Sequence, residues 1–259
     1  MRQAILIEYD ERIATVTLNN PGKLNALDLG MWQGLAQAFE TLSANEDLRC
    51  IVLRGAGDKA FAAGADIEEF TRMRASSAQA ADYAHITHAA MQAIAESRHP
   101  TVAMIQGACV GGGLEVASVC DMRICGESSR FGVPVNRLGL VMSYGELGGL
   151  MALAGPAAAL EILLEGRVFG AAEALEKRLV NRVVPDADVP DETYAAARRI
   201  GQGAPLVARW HKKFVRRLMN PTALSAEEQA EAYACFETED FRIGYQAFVG
   251  KTKPVFQGR

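Results

Sequence analysis

Apolar positions follow two different periods along this chain. Ile5-Leu6-Ile7-Glu8-Tyr9 and Ile13-Ala14-Thr15-Val16-Thr17-Leu18 flank a polar Asp10-Glu11-Arg12, which predicts a β-hairpin. After the loop Asn19-Asn20-Pro21-Gly22-Lys23, Asp28 is placed to cap a helix on which Leu29, Trp32, Leu35, Phe39 and Leu42 recur at helical spacing. Cys50-Ile51-Val52-Leu53, Thr101-Val102-Ala103-Met104-Ile105 and Met122-Arg123-Ile124-Cys125 are short, largely apolar runs of the kind buried inside parallel sheets. A Gly/Ala loop over 55–66 follows the first of these, and a helix is predicted over His85 to Ala95. Gly111-Gly112-Gly113 opens a further helix after the second. Beyond about residue 135 helical patterns dominate, over 144–153, 156–164, 171–177 and 192–203. Ser225 and Glu228 have capping-box spacing, and a last helix is expected from about Asp240 to Lys251. Alternating buried strands and amphipathic helices predict an α/β core, here followed by a helical C-terminal part.

Composition narrows the function classes. The 259 residues carry 27 Lys plus Arg against 31 Asp plus Glu, a net charge of −4, with 49% apolar and 22% charged positions. That is a folded, mildly acidic chain, without the basic excess that nucleic acid binding needs and with ample apolar content for a core. No run approaches about 18 uninterrupted apolar residues, so no membrane span is expected, and the N-terminal apolar stretch is too short for a secretion signal. Five cysteines, Cys50, Cys109, Cys120, Cys125 and Cys235, form no Cys-x-x-Cys pair, and no histidine lies near Cys120 and Cys125. They read as buried free thiols of a reducing cytoplasm, with no metal site expected.

Three glycine-containing stretches bear on chemistry. Gly55-Ala56-Gly57-Asp58-Lys59-Ala60 has the letter pattern of a dinucleotide fingerprint, but a second Gly/Ala loop follows where the helix should begin. Gly250-Lys251-Thr252 ends like a phosphate loop, yet Gly244 is one residue too far away and no buried strand precedes it. Gly111-Gly112-Gly113-Leu114-Glu115 is different. Glycines between a buried strand and a helix let a ligand approach the backbone, whose first-turn N–H groups suit an oxyanion. Glu115, three residues past Gly112, shares that side of the turn. The small-residue loop Phe61-Ala62-Ala63-Gly64-Ala65-Asp66-Ile67 would lie at the same strand ends, where one N–H from each loop makes a two-donor oxyanion hole. His85 and His88 share a helix face and read as surface or packing residues, whereas Trp32, Trp210 and the methionines read as core or oligomer packing.

Asn19 through Leu27, Phe61 to Ile67, Gln106-Gly107 through Glu115, Cys120-Asp121-Met122-Arg123 and the C-terminal Gly244 to Arg259 together resemble the crotonase superfamily, the enoyl-CoA hydratase/isomerase family. The matches run in that family's order along essentially the whole chain. The resemblance implies a spiral of ββα repeats carrying the acyl-CoA site over 1–195, and a helical C-terminal region over 196–259 used in trimerisation. A homotrimer or a dimer of trimers follows from it. The implied ligand is an acyl thioester, with coenzyme A entering as part of the substrate and no separate cofactor. Carried across residue by residue, the N–H groups of Ala65 and Gly112 would hold the thioester oxygen. Lys23, Leu24, Ala63, Asp66 and Ile67 would line the adenine and pantetheine path, and Phe248 and Lys251 would reach the nucleotide end.

Two departures from the pattern matter. Glu68 stands where a hydratase commonly has a lysine near the coenzyme phosphates, which should weaken phosphate binding. Relatives also use two glutamates; Glu115 is the first, but the second stretch reads Phe131-Gly132-Val133-Pro134-Val135, and valine transfers no proton. Losing one acid/base group forfeits roughly 10²–10⁴-fold in rate. The following stretch is altered to Met142-Ser143-Tyr144-Gly145-Glu146-Leu147, where Glu146 is the candidate substitute, ahead of Tyr144 and Ser143. The expectation is hydration of a 2-enoyl-CoA with Glu115 handling the water. Decarboxylation, isomerisation or acyl-CoA binding without catalysis are the alternatives.

Overall fold

Burial explains most of the elements. The computed structural model describes residues 2–259, with no side-chain placement for Phe70 and Thr71. β1 (Ile5–Asp10) and β2 (Ile13–Leu18) form the expected hairpin, turning through Glu11 and Arg12. α1 (Leu29–Ala44) starts at Asp28, whose carboxylate accepts the Met31 N–H, and it buries Trp32, Leu35, Phe39 and Leu42. β3 (Cys50–Gly55) and β4 (Ala60–Ala62) follow, then the short α2 (Phe70–Met73) and the long α3 (Ser77–Glu96). The same order repeats with β5 (Thr101–Ile105), β6 (Ala108–Val110) and α4 (Gly112–Ser118), and again with β7 (Met122–Gly126), β8 (Arg130–Gly132) and α5 (Tyr144–Glu165).

The first strand of each repeat joins one sheet and the second joins another. One sheet has the order β1-β2-β3-β5-β7-β10, parallel from β2 onward, closed by β10 (Arg182–Val184). The other runs β4-β6-β8-β9, its last strand being β9 (Phe169–Gly170), antiparallel to β8. This is the spiral of ββα turns that the resemblance implied. Hydrophobic pattern alone did not show the second sheet, because three-residue strands are too short to display an alternation.

α6 (Ala171–Glu176) precedes β10, and α7 (Val189–Gly201) covers the far face of the first sheet. There Val189, Ala196 and Ala197 pack with Ile13, Val52, Val102 and Ile124. Residue 195 therefore lies inside a helix of the core, and the packed α/β body extends to Gly201. α8 (Pro205–Leu218) was not anticipated from the sequence; Pro205 sits at its first turn, where a missing N–H costs nothing. α9 (Ala226–Glu231) begins at Ser225 with the expected capping box, and α10 (Glu239–Gly250) ends the fold.

By length and composition alone the 22 residues of α5 could cross a membrane. Scattered glycines and glutamates hid that average from a search for uninterrupted apolar runs. Gly155 breaks the helix with φ 72° just ahead of Pro156, and Glu161 pairs with Lys177 of the globular body at 2.6 Å.

Candidate active site

Two loops meet at the carboxyl ends of β4 and β6. Residues 63–66 are strapped to the segment before α1: Ala63 N–H donates to Leu24 O, Leu27 N–H to Gly64 O, and Asp66 N–H to Leu27 O, at 2.8–3.0 Å. These bonds leave the intervening Ala65 N–H out. The other loop turns at Gly111, whose φ of 52° with ψ of −123° is a conformation that a side chain would strain. Gly112 then opens α4, so its N–H has no helical acceptor. A side chain on Gly112 would begin 3.6 Å from Ala65 N, so the two backbone segments lie side by side. Among the described residues neither N–H donates to a protein acceptor. Gly113 is needed for the approach itself: a Cβ there would begin 2.2 Å from Ala62 O.

These groups open on a cavity of about 570 Å³, within the range of small-molecule sites. Ala63, Ala65, Ile67, Gly112, Glu115 and Glu146 all line it. So does Val135, which puts an aliphatic side chain in the same space as the two carboxylates. Glu115 is 9% exposed, and burial, reinforced by the charge of Glu146, pushes its carboxyl up to about 8; Arg74 pulls in the opposite direction. Glu146 sits in the first turn of α5, where its Oε2 accepts the Ser143 N–H at 2.5 Å, and a helix N-terminus favours negative charge.

The remaining candidates lie outside the cavity wall. Lys23 is paired twice at the rim, with Asp66 and with Glu68, each at 2.7 Å, and the two bonds raise its pKa. Leu24 stands beside it, 45% exposed in a left-handed conformation. On α10, Phe248 is 85% exposed and Lys251 forms the exposed C-cap, so within one chain neither reaches the cavity.

Sequence reasoning passed over three residues here. Trp32, read as a core residue, is 1% exposed yet forms part of the cavity wall. Arg74 also lines it, with its guanidinium stacked 3.9 Å over the Tyr83 ring. His88 is hydrogen-bonded to Ser143, which lines the cavity. Wide sequence separation concealed the last two, and no local motif marks them.

The sequence model of the enoyl-CoA hydratase/isomerase family matches residues 8–259. The crystal structure of an enoyl-CoA hydratase/carnithine racemase from Magnetospirillum magneticum is 50% identical, with a TM-score of 0.98, covering 100% of this chain and 97% of that one. A protein of Mycobacterium bovis described as a probable enoyl-CoA hydratase is 36% identical over 259 residues, 99% of each chain. A short-chain-enoyl-CoA hydratase of Clostridium acetobutylicum is 30% identical over 252 residues, 96% of this chain and 95% of its own. The chain belongs to the enoyl-CoA hydratase/isomerase family, and it is an enzyme of the hydratase-like lyase type.

Proposed function

We propose that the protein adds water across the C2=C3 bond of a 2-enoyl-CoA. The observation that carries this reading is the convergence, in one cavity, of two unengaged backbone donors with two glutamates from different helices. The N–H groups of Ala65 and Gly112 donate to the thioester oxygen and stabilise the enolate charge that develops on it, the largest catalytic contribution expected here.

The acid/base roles follow from the environments of the two carboxyls. A carboxyl raised to about 8 is mostly protonated at neutral pH, so Glu115 starts as the acid. This reverses the role expected from sequence, where Glu115 took the proton of water. Glu146 instead takes that proton as the water oxygen bonds to C3, and Glu115 gives its own proton to C2. The pair holds one proton before and after the reaction, so passing it from Glu146 to Glu115 resets the site. Glu146 thereby covers the position that Val135 leaves without chemistry.

A second reading rests on Arg74. A cation in the cavity wall suits an acyl group bearing a carboxylate, and the same two donors would stabilise the enolate left by decarboxylation of a malonyl-type thioester. Mass analysis of products from crotonyl-CoA and from malonyl-type CoA separates the two. A 3-hydroxyacyl product supports hydration; carbon dioxide release with no hydration supports the second reading.

Exposed apolar side chains on α5 and α10, among them Leu160, Leu164, Tyr245, Phe248 and Val249, support assembly into a homotrimer or a dimer of trimers. In such an assembly Phe248 and Lys251 would reach the nucleotide end of the ligand held by a neighbour.

A further inference from the structure

α3 passes the N-terminus of α5, and one side chain joins them. His88 Nε2 and Ser143 Oγ are hydrogen-bonded at 2.9 Å, the tautomer of the ring deciding which donates. The same ring lies against the backbone of Gly145. A side chain on Gly145 would begin 2.6 Å from the ring's Cε1 and 2.7 Å from each of its nitrogens, so only glycine leaves room for the imidazole. Ser143 is the N-cap of α5 and Glu146 the third residue of its capping box, with Ser143 N–H donating to Glu146 Oε2 at 2.5 Å. Contacts thus run without a gap from His88 through Ser143 to Glu146, whose carboxylate shares the cavity with Glu115.

A capping box by itself fixes a helix turn relative to its own helix, not relative to the rest of the protein. Leu138 and Val141 before α5 and Tyr144 in its first turn are exposed at 57%, 88% and 97%, while Met142 beside the N-cap buries its side chain in the core. The link to α3 adds a polar reference to that apolar one. We propose that His88 is a positioning residue that anchors the Ser143–Gly145 turn to α3 and so holds the Glu146 carboxylate beside Glu115. The proposal rests on Glu146 being the second proton-transfer group.

The test is a double-mutant cycle on crotonyl-CoA hydration with His88→Ala, Glu146→Gln and the two combined. Displacing a reacting group by about 1 Å can cost up to about 100-fold, so His88→Ala should lower kcat 10- to 100-fold while KM stays within about twofold. If His88 acts through Glu146, the double variant is no slower than Glu146→Gln alone. Ser143→Ala keeps the N–H donor but removes the anchor and should match His88→Ala. His88→Gln, which can still bond the Ser143 hydroxyl, should recover most of the rate, and Ser143→Ala serves in place of His88→Ala if that variant fails to fold. His85→Ala, an exposed change on the same helix, should leave the rate unchanged.

Losses that multiply in the double variant, or a His88→Ala kcat within twofold of the parent, would overturn the positioning role while leaving Glu146 intact as a proton carrier. Full activity in Glu146→Gln would instead remove the premise, and the proposal with it.

Discussion

Glu115 and Glu146 reach one cavity from the first turns of two different helices, and the charge of the second adds to burial in raising the first to about 8. In the proposed mechanism Glu115, raised by burial and by that charge, is the acid, and Glu146 is the base.

Removing the acid should be severe. Glu115→Gln keeps the shape but cannot cycle a proton, so hydration should fall by roughly 10²–10⁴-fold with the fold intact. Steady-state turnover of a 2-enoyl-CoA together with a circular dichroism spectrum checks both halves of the statement. Undiminished turnover would remove Glu115 from the chemistry.

The same residue should make stability depend on pH in an unusual direction. The folded protein holds the Glu115 proton up to about pH 8, whereas the unfolded chain releases it near 4.5. Between those values the folded state binds more protons, so stability falls as pH rises, by at most about 5 kcal/mol for a shift of this size. Glu115→Gln removes that dependence. The variant should match the parent near pH 4.5, gain on it steadily up to pH 8, and hold a constant advantage above, as urea unfolding at several pH values will show.

Val135 offers a test by restoration. With Glu146→Gln slowed about 100-fold, adding Val135→Glu puts a carboxylate back into the same cavity and should recover at least about tenfold. No recovery would mean that the wall at Val135 does not face the reacting carbons.

The proposed oxyanion donors are backbone groups and must be reached indirectly. A methyl at Gly112 would begin 3.3 Å from Leu27 and Trp32 side chains and 3.6 Å from Ala65 N, filling the space where the thioester oxygen is to sit. Gly112→Ala should therefore lower kcat/KM by about 100-fold or more, in line with the loss of one such donor. A drop in kcat/KM of less than threefold would argue against this placement.

Much of this arrangement is legible in the chain itself. Gly111-Gly112-Gly113 after an apolar strand points to a close backbone approach, and valine at 135, set beside the family's pattern, announces a missing carboxylate before any geometry is known. Other parts are not. Ser143 and His88 stand 55 positions apart, and nothing local to either marks the bond between them. Arg74 lines the cavity with its guanidinium over the ring of Tyr83 on α3, a contact that no local motif marks. Glu68 was expected to repel coenzyme phosphates; the structure adds that it also occupies Lys23, a neighbour whose pairing no sequence period encodes.

That pairing has a kinetic consequence. Glu68→Lys removes one of the two carboxylates on Lys23 and adds a cation at the rim, so KM for an acyl-CoA should fall severalfold at low salt with kcat unchanged. The gain should shrink as salt is raised, because exposed charges are screened over about 8–10 Å.

The most direct test follows oxygen. Crotonyl-CoA turned over in H₂¹⁸O should give a 3-hydroxyacyl-CoA carrying the label on C3, and Glu115→Gln should slow its formation by roughly 10²–10⁴-fold. Measurable acyl-CoA binding with no label in any product would contradict hydration and point to a reaction in which Arg74 holds an acyl carboxylate instead.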